Sequence, residues 1–151
     1  MKIEDLMIRN PITISANTTI SEAIACMKTN SIRHLPVVAD DQRLLGFVTL
    51  ADLKQGMIPS MVGDLTLKDL MIKAPITVAP DQDIEIAAQL IYKHKIGGLP
   101  VVEDGKLWGI ITVTDLLGAF INMMGLLSAS SRVDVVVENK SGALKKAIQV
   151  V

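Results

Sequence analysis

The 151-residue chain has a single cysteine, Cys26, and only four aromatic residues, Phe47, Tyr92, Trp108 and Phe120. One cysteine excludes a disulfide framework and points to a reducing compartment. So few rings exclude a stacking platform for single-stranded nucleic acid. Neither sign of charge is in excess. Fifteen Lys and Arg face sixteen Asp and Glu, for a net charge of −1, which argues against nucleic acid as a partner. Long hydrophobic runs are also missing. The stretch from Leu116 to Leu127 is broken by Gly118, Asn122 and Gly125, well short of the roughly 20 residues that cross a bilayer. The opening MKIEDLMIRN has no apolar signal core, so a cytoplasmic protein with no membrane contact is expected.

The residue sets that carry covalent or metal chemistry are absent too. His34 and His94 sit in dissimilar settings with no cysteine or carboxylate at ligand spacing. No Ser-His-Asp arrangement stands out, and Ser128, Ser130 and Ser131 read as a linker. The chain therefore reads as a non-enzyme without catalytic residues, metal ligands or a resident cofactor. What it does have is 50% apolar residues against 21% charged, enough for one ordinary domain or two small ones with a core of their own.

The chain repeats itself. Shifted by 64 residues, DLMIRNPIT (5–13) falls on DLMIKAPIT (69–77), and IRHLPVV (32–38) on IGGLPVV (96–102). Fourteen of the 34 positions from 5 to 38 are identical, where chance gives about two or three. One residue is then lost, and GFVTLADL (46–53) falls on GIITVTDL (109–116). Two copies of this size imply a pseudo-twofold pair rather than a solenoid.

Each copy reads as one string of elements. Pro-Ile-Thr opens an extended segment. Thr19-Ile20-Ser21-Glu22 is a capping box, after which Ile20, Ala23, Ile24 and Met27 share a buried helical face. In the second copy Asp83 takes the cap, with Ile84, Ala87, Ala88 and Ile91 on the face. LPVV is a buried strand, Asp104-Gly105 a tight hairpin turn, and LLGFVTL and LWGIITV are return strands. Thr49 and Thr112 open a second helix, the later one stopping at Gly125. The expected fold is α+β, two β-α-β-β-α repeats over residues 1–58 and 65–125.

The motif able to carry chemistry is Gly-x-x-Thr-x-x-Asp, at Gly46–Asp52 and Gly109–Asp115. Thr-x-x-Asp at a helix start is by itself a common cap. The same geometry aims free N–H groups and the positive end of the helix dipole at one spot. A threonine hydroxyl there can bind a phosphate oxygen, and a carboxylate one turn on can accept both hydroxyls of a ribose. Locally both readings stand; recurrence in both copies favours the second.

Together, IRHLPVV and IGGLPVV followed by Gly-h-h-Thr-x-x-Asp (h, apolar) resemble cystathionine-β-synthase (CBS) domains, which occur in tandem, over about residues 1–125. The resemblance implies two repeats packed sheet to sheet with pseudo-twofold symmetry, leaving two clefts that commonly take adenosine ligands such as AMP, ADP, ATP or S-adenosylmethionine. It implies Asp52 and Asp115 on the ribose, Thr49 and Thr112 on phosphate, and Thr13 and Thr77 beside the base. Arg33 and His34 precede the first Leu-Pro-Val-Val as phosphate partners. The second copy has Gly97 and Gly98 there, so only backbone amides approach an anion and the two clefts should differ. Which aspartate shares a cleft with Arg33 stays open at this point. A regulatory module sensing an adenosine ligand is expected, acting on an unidentified target; the alternative is a structural dimerisation module with no physiological nucleotide.

A homodimer is expected, because Leu116–Met124 is apolar nearly all round. Residues 126–151 read as a linker followed by a strand (RVDVVV), a turn and a helix start (ALKKAIQVV). That order resembles the opening of an ACT domain, and the whole is similar to acetoin-utilisation regulators, in which a CBS pair precedes an ACT domain.

Overall fold

The computed structural model describes residues 1–63 and 65–125, and the ACT-like segment expected over 126–151 lies outside the described residues. The element order is α1 (Ile3–Leu6), β1 (Ile8–Arg9), α2 (Ile20–Thr29), β2 (His34–Val38), β3 (Leu44–Thr49), α3 (Leu50–Val62), α4 (Leu67–Leu70), β4 (Ile72–Lys73), α5 (Ile84–His94), β5 (Gly98–Glu103), β6 (Lys106–Thr112) and α6 (Val113–Met123). Residues 1–117 form one compact unit.

Local sequence accounts for most of these elements. The Thr19 Oγ1 accepts the Glu22 N–H at 3.1 Å while Glu22 Oε2 accepts the Thr19 N–H at 3.0 Å, so the capping box starts α2 as read. Ile20, Ala23 and Met27 are buried along it. In α5, Ala87 and Ile91 are buried while Ala88 is exposed. Asp83 precedes α5 but does not cap it; its carboxylate lies 2.8 Å from Lys2 Nζ instead. The β5–β6 hairpin turns at Asp104 and Gly105, both at positive φ (52° and 76°), as a two-residue turn requires.

Two antiparallel hairpins, β2–β3 and β5–β6, form the centres of two three-stranded sheets. Pro-Ile-Thr does not form a full strand: Ile14 and Val78 each make one parallel bridge, to Val37 and Val101. The third strand lies upstream, before the proline, and belongs to the other copy. Ile8 and Arg9 of β1 pair with Ile110 and Gly109 of β6, and Ile72 and Lys73 of β4 pair with Phe47 and Gly46 of β3.

The cores follow the same exchange. Leu67 joins the cluster of Ile20, Met27, Leu35 and Val48, whereas Ile3 and Met7 join Val78, Ala87, Leu99 and Ile111. Each packed half is therefore one copy's helix and hairpin completed by the other copy's opening segment. A symmetric pair of bonds also joins the hairpin turns: the Leu44 N–H donates to the Gly105 carbonyl at 3.1 Å, and the Leu107 N–H to the Gln42 carbonyl at 3.0 Å.

Candidate functional site

Both Thr-x-x-Asp motifs sit where a strand runs straight into a helix. Thr49 ends β3 and caps α3: its Oγ1 accepts the Asp52 N–H at 3.2 Å and donates to Asp52 Oδ2 at 2.8 Å. Thr112 ends β6, and its N–H and Oγ1 both donate to Asp115 Oδ2 at 2.9 Å. Each aspartate is thus pinned through one oxygen, while Oδ1 has no hydrogen bond among the described residues. All four side chains are half-buried. The cap and the acceptor are one arrangement: the cap fixes the carboxylate and leaves an acceptor free.

The helix N-termini are less open than the motif alone suggests. The Leu50 N–H is taken by the Arg33 carbonyl at 2.9 Å, and the Val113 N–H by the Gly97 carbonyl at 3.0 Å. The Asp52 and Asp115 N–H groups go to the threonines. In the first turn this leaves the Ala51 and Thr114 N–H groups as the donors for an anion.

These bonds also locate the neighbours of each motif. Arg33 and His34 lie beside Thr49, His34 being its direct partner in the β2–β3 register. Gly97 and Gly98 lie beside Thr112 in the same way. The exposed Arg33 is therefore next to its own copy's motif through its backbone. Thr13 and Thr77 flank the residues bridged to Val37 and Val101, further along β2 and β5, and among the described residues no hydrogen bond joins them to the two motifs.

The two groups meet at His34. Its ring stacks on Phe47, with centroids 5.7 Å apart and planes 15° apart. It also lies against Gly97, where a Cβ would come 2.6 Å from Nε2. The difference between Arg-His and Gly-Gly is therefore one of shape as well as of anion ligands, the glycine making room for the ring. That signal was in the sequence, as a bulky pair in one copy aligned with two glycines in the other.

Burial, and then the neighbouring Arg33 charge, hold the His34 pKa below the ordinary imidazole value. The unfolded chain then binds the proton more tightly than the folded one, so this contribution to stability is present near pH 7 and is lost as the pH falls below about 6.5. Asp69 and Asp83, held below the usual carboxylate range by Thr66 and Lys2, act only at lower pH. The melting temperature is expected to fall between pH 7 and pH 5, and to fall less in His34→Gln. Parallel melting profiles for the two proteins would contradict this assignment.

Two surface hollows lie away from these residues. One, of about 430 Å³, is bordered by Asn17, Thr18, Thr19, Ser21, Thr66 and Lys68. The other, of about 310 Å³, is bordered by Met7, Arg9, Asn10, Leu107 and Trp108. Among the described residues no group of three metal-ligating side chains comes together, and no helix is long and apolar enough to cross a membrane.

Comparison with known proteins agrees with this arrangement. The CBS domain family matches twice, over residues 3–58 and 67–122. A crystal structure of a putative acetoin utilization protein (AcuB) from Vibrio cholerae is similar, with 36% identity and a TM-score of 0.74 over 83% of this chain and 94% of that one. The CBS domain pair of protein MJ0100, solved with 5′-methylthioadenosine and S-adenosyl-L-methionine, is 29% identical, with a TM-score of 0.74 over 80% of this chain and 99% of that one. CBSX2, from Arabidopsis thaliana, solved in complex with AMP, is 28% identical, with a TM-score of 0.72 over 81% and 97%. The inosine-5′-monophosphate dehydrogenase of Methanocaldococcus jannaschii is 37% identical over 119 residues, which is 77% of this chain but 23% of that enzyme. Shared family motifs, the same fold and the doubled Thr-x-x-Asp site agree: the chain belongs to the CBS-domain family and carries two CBS domains in tandem.

Proposed function

We propose that this protein is a regulatory module that binds an adenosine-containing ligand, AMP, ADP, ATP or S-adenosylmethionine, at its two Thr-x-x-Asp sites. The observation that carries the reading is the matched pair of aspartates, each held by its threonine through Oδ2 with Oδ1 left to accept ribose hydroxyls. Similar CBS pairs have been solved with 5′-methylthioadenosine, S-adenosylmethionine and AMP. The site pairs no nucleophile with a base, so it is suited to binding rather than bond-breaking. Thr49 and Thr112 orient the carboxylates. The Ala51 and Thr114 N–H groups, with Arg33, supply the positive side of the site, and Thr13 and Thr77 flank the base. Residues 1–58 and 65–125 act as the two binding repeats. The ligand acts by favouring one packing of the repeats over another.

The module works as a cytoplasmic homodimer with its output in a separate target. Leu117, Phe120 and Met123 on α6 are more than half exposed, the kind of face that associates; a monomer mass in light scattering at micromolar concentration removes this part.

Calorimetry with AMP and with S-adenosylmethionine tests the binding. Asp52→Ala and Asp115→Ala should each weaken one binding step by about 10- to 150-fold, the range of a lost hydrogen bond to a charged group at about 1.5–3 kcal/mol. Arg33→Ala should weaken AMP but leave adenosine unaffected. No heat and no melting shift with any adenosine ligand would overturn the reading, as would full binding in the Asp52→Ala, Asp115→Ala double variant.

A further inference from the structure

We propose that His34 is shared by the two Thr-x-x-Asp sites and ties them together, so that filling one with an adenosine ligand strengthens binding at the other; the ligand part of this rests on the binding reading above. The imidazole belongs to the first site. It stands opposite Thr49 in the β2–β3 register and stacks on Phe47. Its other edge belongs to the second site. A Cβ at Gly97 would fall 2.6 Å from Nε2 and 2.9 Å from Cε1, so the ring rests on backbone, which gives way only by moving. The Gly97 carbonyl accepts the N–H of Val113, the first residue of α6, at 3.0 Å, and the next residue, Gly98, stands opposite Thr112. A continuous path of contacts therefore runs from Thr49 and Asp52, through one ring, to Thr112 and Asp115.

The repeat makes that ring single. Shifted by 64, His34 falls on Gly98, so no second imidazole answers it. One ring therefore touches both sites. A ligand that draws the end of β3 and the start of α3 towards itself moves the ring off Gly97, and a ligand at the start of α6 moves Gly97 off the ring. Both movements open the same contact, so the ligand that binds first spares the second that cost, which is the condition for positive coupling. The charged group that acts on the ring is Arg33, the residue before it. Asp52 and Asp115 lie three residues beyond Thr49 and Thr112, the register partners of His34 and Gly98, and the Lys95 ammonium lies over the Tyr92 ring at 4.1 Å. Burial and Arg33 keep the imidazole neutral near pH 7. Protonation in that half-buried position therefore moves the ring without any ligand.

Two measurements test this on the full chain. In calorimetry with AMP, the wild type should bind two equivalents with the second at least about fivefold tighter than statistics require, the lower end of ordinary coupling between sites. In His34→Ala and Gly97→Ala the second step should no longer be tighter than statistics require. In nuclear magnetic resonance without ligand, lowering the pH from 7.5 to 5 should shift the backbone amide signals of both Leu50 and Val113 with the midpoint of the His34 ring. A Val113 signal that ignores the ring, or AMP binding without positive cooperativity in the wild type, would overturn the tie. So would cooperativity left unchanged in both variants. If AMP and S-adenosylmethionine fail to bind while both amides follow His34, the ligand reading falls and the mechanical link stands.

Discussion

Ile3→Ala should destabilise the protein by about 2–5 kcal/mol, the usual loss for truncating a fully buried aliphatic side chain, and the loss should fall on the second repeat. Ile3 has no exposed surface and packs with Val78, Leu99 and Ile111. Its backbone is fixed there too. The Ile3 N–H donates to the Gln82 carbonyl at 2.8 Å, the Glu4 N–H to Pro80 at 2.9 Å, and the Met1 carbonyl accepts the Ile84 N–H at 3.1 Å. The exposed Lys2–Asp83 ion pair beside it adds little, because solvent screens it. In hydrogen exchange, protection should drop across residues 84–94 and 98–112 and hold across 20–29. Leu67→Ala should do the reverse, since Leu67 sits in the first cluster at 1% exposure. If Ile3→Ala loosened the first repeat instead, the exchange of opening segments between repeats would be wrong.

That exchange is the part of the fold the sequence did not disclose, and the reason is physical. Periodicity shows which residues seek a core but not whose core they enter. The helices Ile3–Leu6 and Leu67–Leu70 are a single turn each, and the strands Ile8–Arg9 and Ile72–Lys73 are two residues long, too short for any pattern to register. Thr19 and Asp104-Gly105 were legible because their effects are local: a hydroxyl three residues from the N–H it caps, and two residues that tolerate positive φ. At Asp83 the structure departs from the local pattern for the opposite reason. Lys2, 81 positions away, captures the carboxylate that would otherwise cap α5.

The candidate site divides in the same way. Thr49 with Asp52 and Thr112 with Asp115 lie three residues apart, so their bonds follow from the strand-to-helix turn alone. The occupation of the first helical N–H groups by the Arg33 and Gly97 carbonyls depends on strand pairing. Only the folded chain shows that His34 and Gly97 touch.

Gly109→Ala probes the exchange from the strand side and should destabilise by about 1–3 kcal/mol, the usual result of overpacking. Gly109 is where β1 crosses β6, opposite Arg9. A Cβ there would stand 2.5 Å from the Ile8 carbonyl oxygen and 2.8 Å from Met7 Sδ. The thioether can swing aside, but the carbonyl belongs to the paired backbone of β1 and moves only if the strand moves. Displacing β1 also drags on Met7, which is buried in the second cluster. The mirror position is milder. At Gly46 the near atoms are Met71 Sδ at 2.6 Å and the Ile72 carbonyl at 3.0 Å, so a flexible end absorbs more of the strain and Gly46→Ala should lose less. Gly118, inside α6, has nothing within 4 Å of an added Cβ; alanine there should stabilise by about 0.4–1 kcal/mol by restricting the unfolded chain. Chemical denaturation should therefore rank the proteins, from least to most stable, as Gly109→Ala, Gly46→Ala, wild type and Gly118→Ala. A Gly109→Ala protein as stable as wild type would mean that β1 is not held edge to edge against the other repeat's hairpin.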